Sequence, residues 1–335
     1  MAVERLQDGT VLCAISTFSG GGIGDAGVEW GADIPVISAC ELVPDRAGLI
    51  RQNFPDTKVF EGDIWTEKDK IIQHAKKTVG ENGKPWLFVM SPPCQGMSAN
   101  GAGRISASIA AGNRPKEDER NRLVLPGIDI IEKLKPSWFI LENVRRMENT
   151  VIRSDDCEKP EKILDVLGRR LHPLGYTIRS AIIDFRDLGV PHHRERLITI
   201  GTNLQELVSK YHPGEIFSPI PTEFHPPQTH GGKNQPKHIS LREVIKHMPP
   251  LDAKDKLKCD KFPLHQIPKW NDNHYFWMDK TPMGNTAFEN DNCPEKNCGM
   301  KNIDRELVNC PKCEVELPRP TLEFVGWKCL DCGEI

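Results

Sequence analysis

The chain has 335 residues, of which 38% are hydrophobic and 27% are charged, and its formal net charge is −3. These totals are typical of one large or two smaller globular domains. They exclude a strongly basic protein, so a nucleic acid would have to bind to a local basic surface. No run approaches the roughly 18 apolar residues of a membrane span, and the N-terminus lacks a signal-peptide pattern. We therefore expect a cytoplasmic protein with no membrane partner and reduced cysteines.

A glycine-rich turn follows the first predicted strand. Residues 11–18 form an apolar, β-prone run, and residues 19–27 contain the turn. Glycine permits a tight turn and close approach of the backbone to a ligand. Gly22, Gly24 and Gly27 fit the G-x-G-x-x-G spacing of dinucleotide-binding enzymes, which also occurs by chance. The turn is thus weak evidence for a nucleotide-like ligand.

Acidic residues stand at the ends of the next two predicted strands. Residues 35–40 form an apolar run that ends at Glu41, and residues 59–64 include Asp63. A carboxylate at the end of the second strand commonly binds a ribose diol. Asp63 suits either an adenine amino group or a simple turn. The pattern predicts a cofactor that carries adenosine, with an exposed strand-end glutamate as the alternative.

A lone cysteine follows the fourth predicted strand. Residues 86–90 form an apolar run, too short for a helix and bounded by Pro85 and Pro92. Pro92 and Pro93 end the strand and stiffen the turn, because proline fixes φ and has no N–H to donate. Cys94 is thereby presented at the carboxyl end of a central strand, where open α/β sheets bind ligands. The alternative is an inert buried thiol, since most free cysteines are buried.

The remaining strands of this region bring further charged residues. Residues 137–141 form a strand that ends at Glu142, and residues 197–201 form a strand preceded by Arg194 and Arg196. Predicted helices lie between the strands along the chain. This alternation predicts an α/β fold, a doubly wound sheet with helices on both faces.

The composition changes after residue 201, where proline, histidine and other polar residues become frequent. We therefore expect a first domain of residues 1–201 and a small irregular region of residues 202–335. Seven of the eleven cysteines lie in this second region, and six of them are clustered near its end, between residues 293 and 332. These six form three pairs: Cys293 with Cys298, Cys310 with Cys313, and Cys329 with Cys332.

Two such pairs supply the four thiolates of a tetrahedral zinc site. The last two pairs have the spacing of a zinc ribbon, and the first two pairs are also feasible ligands. Either choice leaves one pair over. We expect a structural zinc ion here, because a metal stabilises a small region with little apolar core.

Together these motifs resemble the DNA cytosine-5 methyltransferases. They stand in the order that the family uses: Phe18-Ser19-Gly20-Gly21-Gly22, Glu41, Gly62-Asp63-Ile64, Pro93-Cys94-Gln95, Glu142-Asn143-Val144 and Arg194-Glu195-Arg196. The resemblance covers about residues 11–201. It implies a Rossmann-like fold, S-adenosylmethionine as the methyl donor and a cytosine in double-stranded DNA as the acceptor. An NAD dehydrogenase would have no need of the Pro-Cys-Gln motif.

The resemblance also implies catalytic roles. Cys94 matches the nucleophile that adds to carbon 6 of cytosine, which makes carbon 5 reactive towards a methyl donor. Glu142 matches the acid that binds the N3 edge, and Arg194 matches the residue that contacts O2. Arg196 either orients Glu142 or binds phosphate. A stacked base is out of reach of these groups, so the cytosine must be flipped out.

On the cofactor side, the resemblance implies that Phe18 stacks on the adenine and that Glu41 binds the ribose hydroxyls. Asp63 and Ile64 would hold the adenine. The same motifs place four more residues in the cofactor pocket: Gly20, Gly22, Leu42 and Pro93.

Two features depart from the family pattern. His192-His193 precedes Arg194 in place of the usual glutamine motif, and the family's late Gly-Asn element has only a superficial match at Gly284-Asn285. We expect either an incomplete sequence or a second polypeptide that completes the domain. Residues 202–335 are then an incomplete target-recognition region. The alternatives are a tRNA cytosine-5 methyltransferase, or a DNA-binding subunit that is inactive without its partner.

Overall fold

The computed structural model describes residues 3–80, 82–93, 119–211, 214–262, 265–272, 275, 278–279, 293, 295, 297–300 and 309–315. The chain divides into two compact units, Met1–Ser240 and Leu241–Ile335. The division falls after the change in composition at residue 201, because Phe217–Ser218 still adds a strand to the sheet of the first unit. The separate roles of residues 1–201 and 202–335 stay a prediction.

The first unit is built on a mixed sheet, and a separate hairpin accompanies it. The strands are β1 (Glu4–Arg5), β2 (Thr10–Thr17), β3 (Val36–Glu41), β4 (Lys58–Glu61), β5 (Lys84–Met90), β6 (Trp138–Asn143), β7 (Val151–Ser154), β8 (Cys157–Lys162), β9 (Thr177–Asp184), β10 (Glu195–Thr202) and β11 (Phe217–Ser218). In the described part of the chain the sheet order is β11-β9-β10-β6-β5-β2-β3-β4, with β1 beside β2. Strands β2 to β6 are parallel, whereas β10 is antiparallel to both β6 and β9.

Helices pack on both faces of this sheet. They are α1 (Ile23–Ala32), α2 (Pro44–Asn53), α3 (Ile64–Val79), α4 (Val124–Leu134), α5 (Ile163–Leu171) and α6 (Gln205–Tyr211). Side chains alternate along a strand, so Cys13 and Ile15 join the cluster under α3, α4 and α5, while Ala14 joins a cluster with Val28 of α1. The α/β fold with helices on both faces is therefore observed.

The β7–β8 hairpin was not predicted from the sequence. Its second strand is charged and contains a proline, so no alternation of apolar residues marks it. Ion pairs connect the hairpin region to α5: Arg169 lies 2.8 Å from Asp156 and 2.9 Å from Glu161. These contacts depend on tertiary structure, which explains why local patterns missed the hairpin.

The second unit has little regular structure among its described residues. These residues contain α7 (Leu241–Ile245) and two isolated bridges, Asp252 with Lys256 and Lys258 with Gln266. A helix must be long and apolar to cross a bilayer, and none of the helices described in either unit meets that requirement.

Candidate functional site

The predicted site residues gather at one edge of the sheet. The carboxyl ends of the parallel strands β2, β3, β5 and β6 meet there, and β10 begins beside the end of β6. Open α/β sheets bind their ligands at this edge. Cys94, the predicted nucleophile, lies outside the described residues, which end on this segment at Pro93.

The turn after β2 has a backbone that favours glycine. Gly20 and Gly22 have φ values of +57° and +82°, and Gly22 precedes the first turn of α1. A Cβ atom on Gly22 would lie 2.7 Å from Phe54 Cε2, so a larger residue would force a rearrangement. Apart from its chain neighbours, no atom of the described residues lies within 4 Å of the Cβ position of Gly20, so this side of the turn is open among them.

Phe18 also has a positive φ, +58°, which is strained for a residue with a side chain. Backbone strain of this kind costs roughly 1–3 kcal/mol and is concentrated at functional sites. Phe18 is half-buried and packs against the main hydrophobic cluster. Its position at the end of β2 fits the predicted contact with a planar group.

Glu41 connects the glycine turn to the end of β3. Its Oε2 accepts a hydrogen bond of 2.8 Å from Gly20 N, and its Oε1 accepts one of 3.0 Å from Val43 N. Glu41 is only 6% exposed, whereas Leu42 beside it is 64% exposed. A carboxylate has about four lone-pair sites, so it keeps capacity for further donors such as hydroxyl groups.

Asp63 and Ile64 begin α3. The Asp63 side chain accepts a hydrogen bond of 2.9 Å from Trp65 N and thereby caps the helix. Asp63 remains exposed, but Ile64 is buried in the main hydrophobic cluster. The structure therefore gives the Ile64 side chain a packing contact in the core.

Glu142 and Arg196 form an ion pair between β6 and β10. Arg196 Nε lies 2.9 Å from Glu142 Oε1, and their side chains are 14% and 32% exposed. Ile198 is the direct cross-strand partner of Glu142, so Arg196 lies on the same face, two residues along the antiparallel strand. This contact favours an orienting role for Arg196 over phosphate binding.

Asn143 connects Glu142 to the segment that leads to Cys94. The Asn143 side chain is buried, and its Nδ2 donates a hydrogen bond of 3.0 Å to Pro92 O. Its Oδ1 accepts a hydrogen bond of 2.8 Å from Val144 N. Asn143 belongs to a predicted motif, but the sequence alone indicated no role for it. A polar residue at the end of a buried strand is the feature that could have indicated this contact.

Arg194 lies just before β10, and its side chain is exposed. Its backbone N donates a hydrogen bond of 3.1 Å to Asp184 Oδ1. His193 Nδ1 lies 2.5 Å from Asp184 Oδ2. The structure thus places Arg194 at the same strand ends as Glu142 and Arg196, on a turn that Asp184 holds.

Asp25 is a buried carboxyl group below the glycine turn. It is 2% exposed, and the hydroxyl groups of Ser16 and Ser19 lie near enough to affect its titration. Burial raises the pKa of Asp25 above 3.8, against the lowering effect of these hydroxyls. Its Oδ2 has no hydrogen-bond partner among the described residues, so ionisation leaves a poorly solvated charge.

We expect Asp25→Asn to stabilise the protein at neutral pH by about 1 kcal/mol. A carboxyl group whose pKa is higher in the folded than in the unfolded state stabilises the protein at pH values below the unfolded-state pKa. This stabilisation is lost as the pH rises through the folded-state pKa. Thermal unfolding from pH 4 to pH 8 should therefore show a gain that grows with pH. The exposed Asp165→Asn variant is the control. A less stable Asp25→Asn protein at pH 7 would contradict this reading.

A separate cluster of four cysteines lies in the second unit. The Sγ atoms of Cys293, Cys298, Cys310 and Cys313 all lie within 4.8 Å of one another. The closest pairs are Cys293 with Cys313 at 3.5 Å and Cys298 with Cys310 at 3.6 Å. Four sulfurs around one zinc ion are separated by about 3.8 Å, given Zn–S bonds of about 2.3 Å. Cys329 and Cys332 lie outside the described residues.

The two pairs have similar backbone turns. Gly299 follows Cys298 with a φ of +63°, and Glu314 follows Cys313 with a φ of +59°. The thiols of this cluster shift in opposite directions: the backbone N–H groups of Lys312 and Cys313 lower the pKa of Cys310 against the effect of burial, whereas burial raises the pKa of Cys293. Thiolates are the form of cysteine that binds metal ions. The arrangement therefore fits a metal site made by the first two pairs.

Comparison with known proteins defines the class. Residues 12–313 match the sequence model of the C-5 cytosine-specific DNA methylases. This match covers most of the chain, so the protein belongs to the C-5 cytosine-specific DNA methylase family. The family membership predicted from the motifs is thereby confirmed.

Two of the similar proteins are Type II methyltransferases. The chain is 28% identical over 282 residues to the Type II methyltransferase M1.HgaI of Avibacterium volantium, covering 83% of this chain and 68% of the relative. It is 29% identical over 237 residues to the Type II methyltransferase M.AquIA of Picosynechococcus sp., covering 68% of this chain and 80% of the relative.

A solved structure described as a prophage-encoded DNA modification methyltransferase (E. coli) is also similar. It is 19% identical, with a TM-score of 0.47, and the match covers 79% of this chain and 64% of that chain. A TM-score below 0.5 is too low for this likeness to support an argument.

Proposed function

We propose that the chain transfers a methyl group from S-adenosylmethionine to carbon 5 of a flipped-out cytosine in DNA. The observation that carries the proposal is the arrangement at the ends of β5 and β6. Glu142 is paired with Arg196, and Asn143 binds Pro92, two residues before Cys94. This arrangement brings the carboxyl group and the backbone that leads to the cysteine to the same edge of the sheet.

The residues divide the covalent chemistry between them. The Cys94 thiolate forms a bond to carbon 6 of the cytosine, while Glu142 holds a proton at N3 as electron density moves onto the ring. Arg194 stabilises the developing charge at O2, and Arg196 keeps Glu142 in place. Once carbon 5 carries the methyl group, a solvent water would take its hydrogen as a proton and the sulfur would leave with its bonding pair. The N3 proton would return to Glu142, which leaves the Cys94 thiolate and the aromatic base.

The residues at the glycine turn fit S-adenosylmethionine, which when bound supplies the electrophilic methyl group. Gly20 leaves open space beside the turn, and Glu41 keeps lone pairs for ribose hydroxyls. Phe18 and the exposed Leu42 offer apolar contacts to an adenine. The remaining predicted contacts come from Gly22, Asp63, Ile64 and Pro93.

We also propose a structural zinc ion bound by Cys293, Cys298, Cys310 and Cys313. The compact set of four sulfurs supports this choice over the ribbon-like pairs at the end of the chain. Zinc bound to four cysteines is closed to substrates, so its contribution is to the folding of the second unit. Target recognition by residues 202–335 belongs to the same proposal.

Labelled methyl transfer from S-adenosylmethionine tests this function, with DNA and tRNA as competing acceptors. We expect label in DNA, at carbon 5 of cytosine, at least tenfold above the label in tRNA. Preferential labelling of tRNA would show that the substrate is tRNA, with the same methyl-transfer chemistry. No transfer by the chain alone, followed by transfer after a second polypeptide is added, would establish the split-enzyme alternative.

A further inference from the structure

Asp184 is the centre of a hydrogen-bond network at the turn between β9 and β10. Its side chain is 11% exposed. Oδ1 accepts hydrogen bonds from Arg194 N at 3.1 Å and Arg186 N at 3.2 Å. Oδ2 lies 2.7 Å from Arg186 Nε and 2.5 Å from His193 Nδ1. One carboxylate therefore contacts both ends of this turn.

The turn needs such an anchor because its end carries an exposed arginine. A 3-10 helix at Phe185–Leu188 and Gly189, with a φ of +85°, reverse the chain before Arg194. Phe185 N donates a hydrogen bond of 3.2 Å to Arg194 O, which fixes the carbonyl side of that residue. Asp184 fixes its N–H side, so the two contacts set the direction in which the Arg194 side chain leaves the backbone.

The charge on Asp184 suits this task. Partial burial raises the pKa of Asp184, but the backbone N–H groups of Arg186 and Arg194 and the His193 ring lower it further. The resulting pKa lies below the ordinary value of an aspartate. The group is therefore a carboxylate at neutral pH. Hydrogen bonds to an ionised acceptor are about twice as strong as neutral ones.

We propose that Asp184 is a positioning residue for methyl transfer, which holds the backbone of Arg194 so that the guanidinium group meets the target base. The proposal rests on the proposed function of Arg194. Asp184 itself touches no reacting atom. A displacement of about 1 Å at a catalytic group can cost a hundredfold in rate, so loss of the anchor should slow the reaction without removing the cofactor site.

A double-mutant cycle with Arg194→Ala tests the proposal. We expect Asp184→Ala to lower kcat by about 10- to 100-fold, with the KM for S-adenosylmethionine unchanged. In the Arg194→Ala background the same change should cost less than about twofold, because Asp184 acts through Arg194. Asp184→Asn should recover part of the lost rate, since its amide oxygen still accepts the two backbone N–H groups but its NH2 group cannot accept from Arg186 Nε. Asp165→Asn on the exposed face of α5 is the control.

Hydrogen exchange of residues 185–196 gives a readout that does not depend on activity. We expect faster exchange in Asp184→Ala, and a smaller increase in Asp184→Asn. Equal losses from Asp184→Ala in both backgrounds would overturn the proposal, as would unchanged exchange. If the wild-type chain transfers no methyl group, the proposed function fails, and the exchange result still decides whether Asp184 anchors Arg194.

Discussion

Replacing Cys94 with serine is expected to reduce methyl transfer into DNA by at least about a thousandfold, the scale on which enzymes lose activity when their nucleophile is removed. A thiolate is accessible near neutral pH, whereas a serine hydroxyl needs a strong base to act as a nucleophile. Labelled transfer under single-turnover conditions measures the chemical step directly. Binding of S-adenosylmethionine, measured by calorimetry, should be unchanged because the role proposed for Cys94 is a bond to the base.

A matched control separates this effect from general cysteine damage. Cys157 lies in β8 and is a free, half-buried thiol, so Cys157→Ser should keep full activity. DNA that carries 5-fluorocytosine adds a second measurement, because fluorine at carbon 5 cannot leave as a proton. The wild-type chain should form a covalent adduct with this DNA, and Cys94→Ser should not. Full activity of Cys94→Ser would refute the covalent mechanism.

Loss of the zinc site is the second large effect that we expect. Zinc binding to cysteine sites has an apparent free energy of roughly 10–16 kcal/mol in small domains, and the described part of the second unit has little regular structure to replace it. The purified chain should contain about one zinc per molecule. Cys298→Ser should lower the zinc content below about 0.2 per molecule and make residues beyond 241 sensitive to protease.

Two control variants decide which cysteines bind the metal. Cys259→Ser should keep the zinc, because this free thiol is not part of the four-sulfur cluster. Cys329→Ser should also keep it if the site consists of the first two pairs. Zinc loss in Cys329→Ser but not in Cys298→Ser would favour the ribbon-like pairing instead. A wild-type zinc content below half an equivalent would reject the site.

The parallel half of the sheet could be predicted from the sequence because its signals are local. Continuous apolar runs marked β2, β3, β5 and β6, and charged residues after these strands marked their carboxyl ends. Parallel neighbours meet at one edge, so the gathering of Phe18, Glu41 and Glu142 at that edge followed from the strand pattern. The chemical roles of these residues came from the family resemblance, and the fold alone does not assign them.

The remaining features depend on contacts between distant residues. The antiparallel pairing of β10 with β6 and the Asn143 contact with Pro92 join positions more than 50 residues apart, and Asp184 contacts Arg194 ten residues further along the chain. The periodicity of apolar residues indicates which residues are buried but not which residues they contact, so it could not predict these contacts. The spacing of the cysteines permitted two pairings for a similar reason, and among the described residues the sulfurs of the first two pairs lie together.

The antiparallel pairing of β10 with β6 limits how this enzyme can vary. Side chains alternate between the faces of a strand, so a shift of β10 by one residue would move Arg196 to the opposite face. Glu195 or Leu197 would then replace it beside Glu142, as a repelling charge or an apolar group. An insertion or deletion within the strand should therefore break the pair of Arg196 with Glu142, and homologues should differ in loop length outside it.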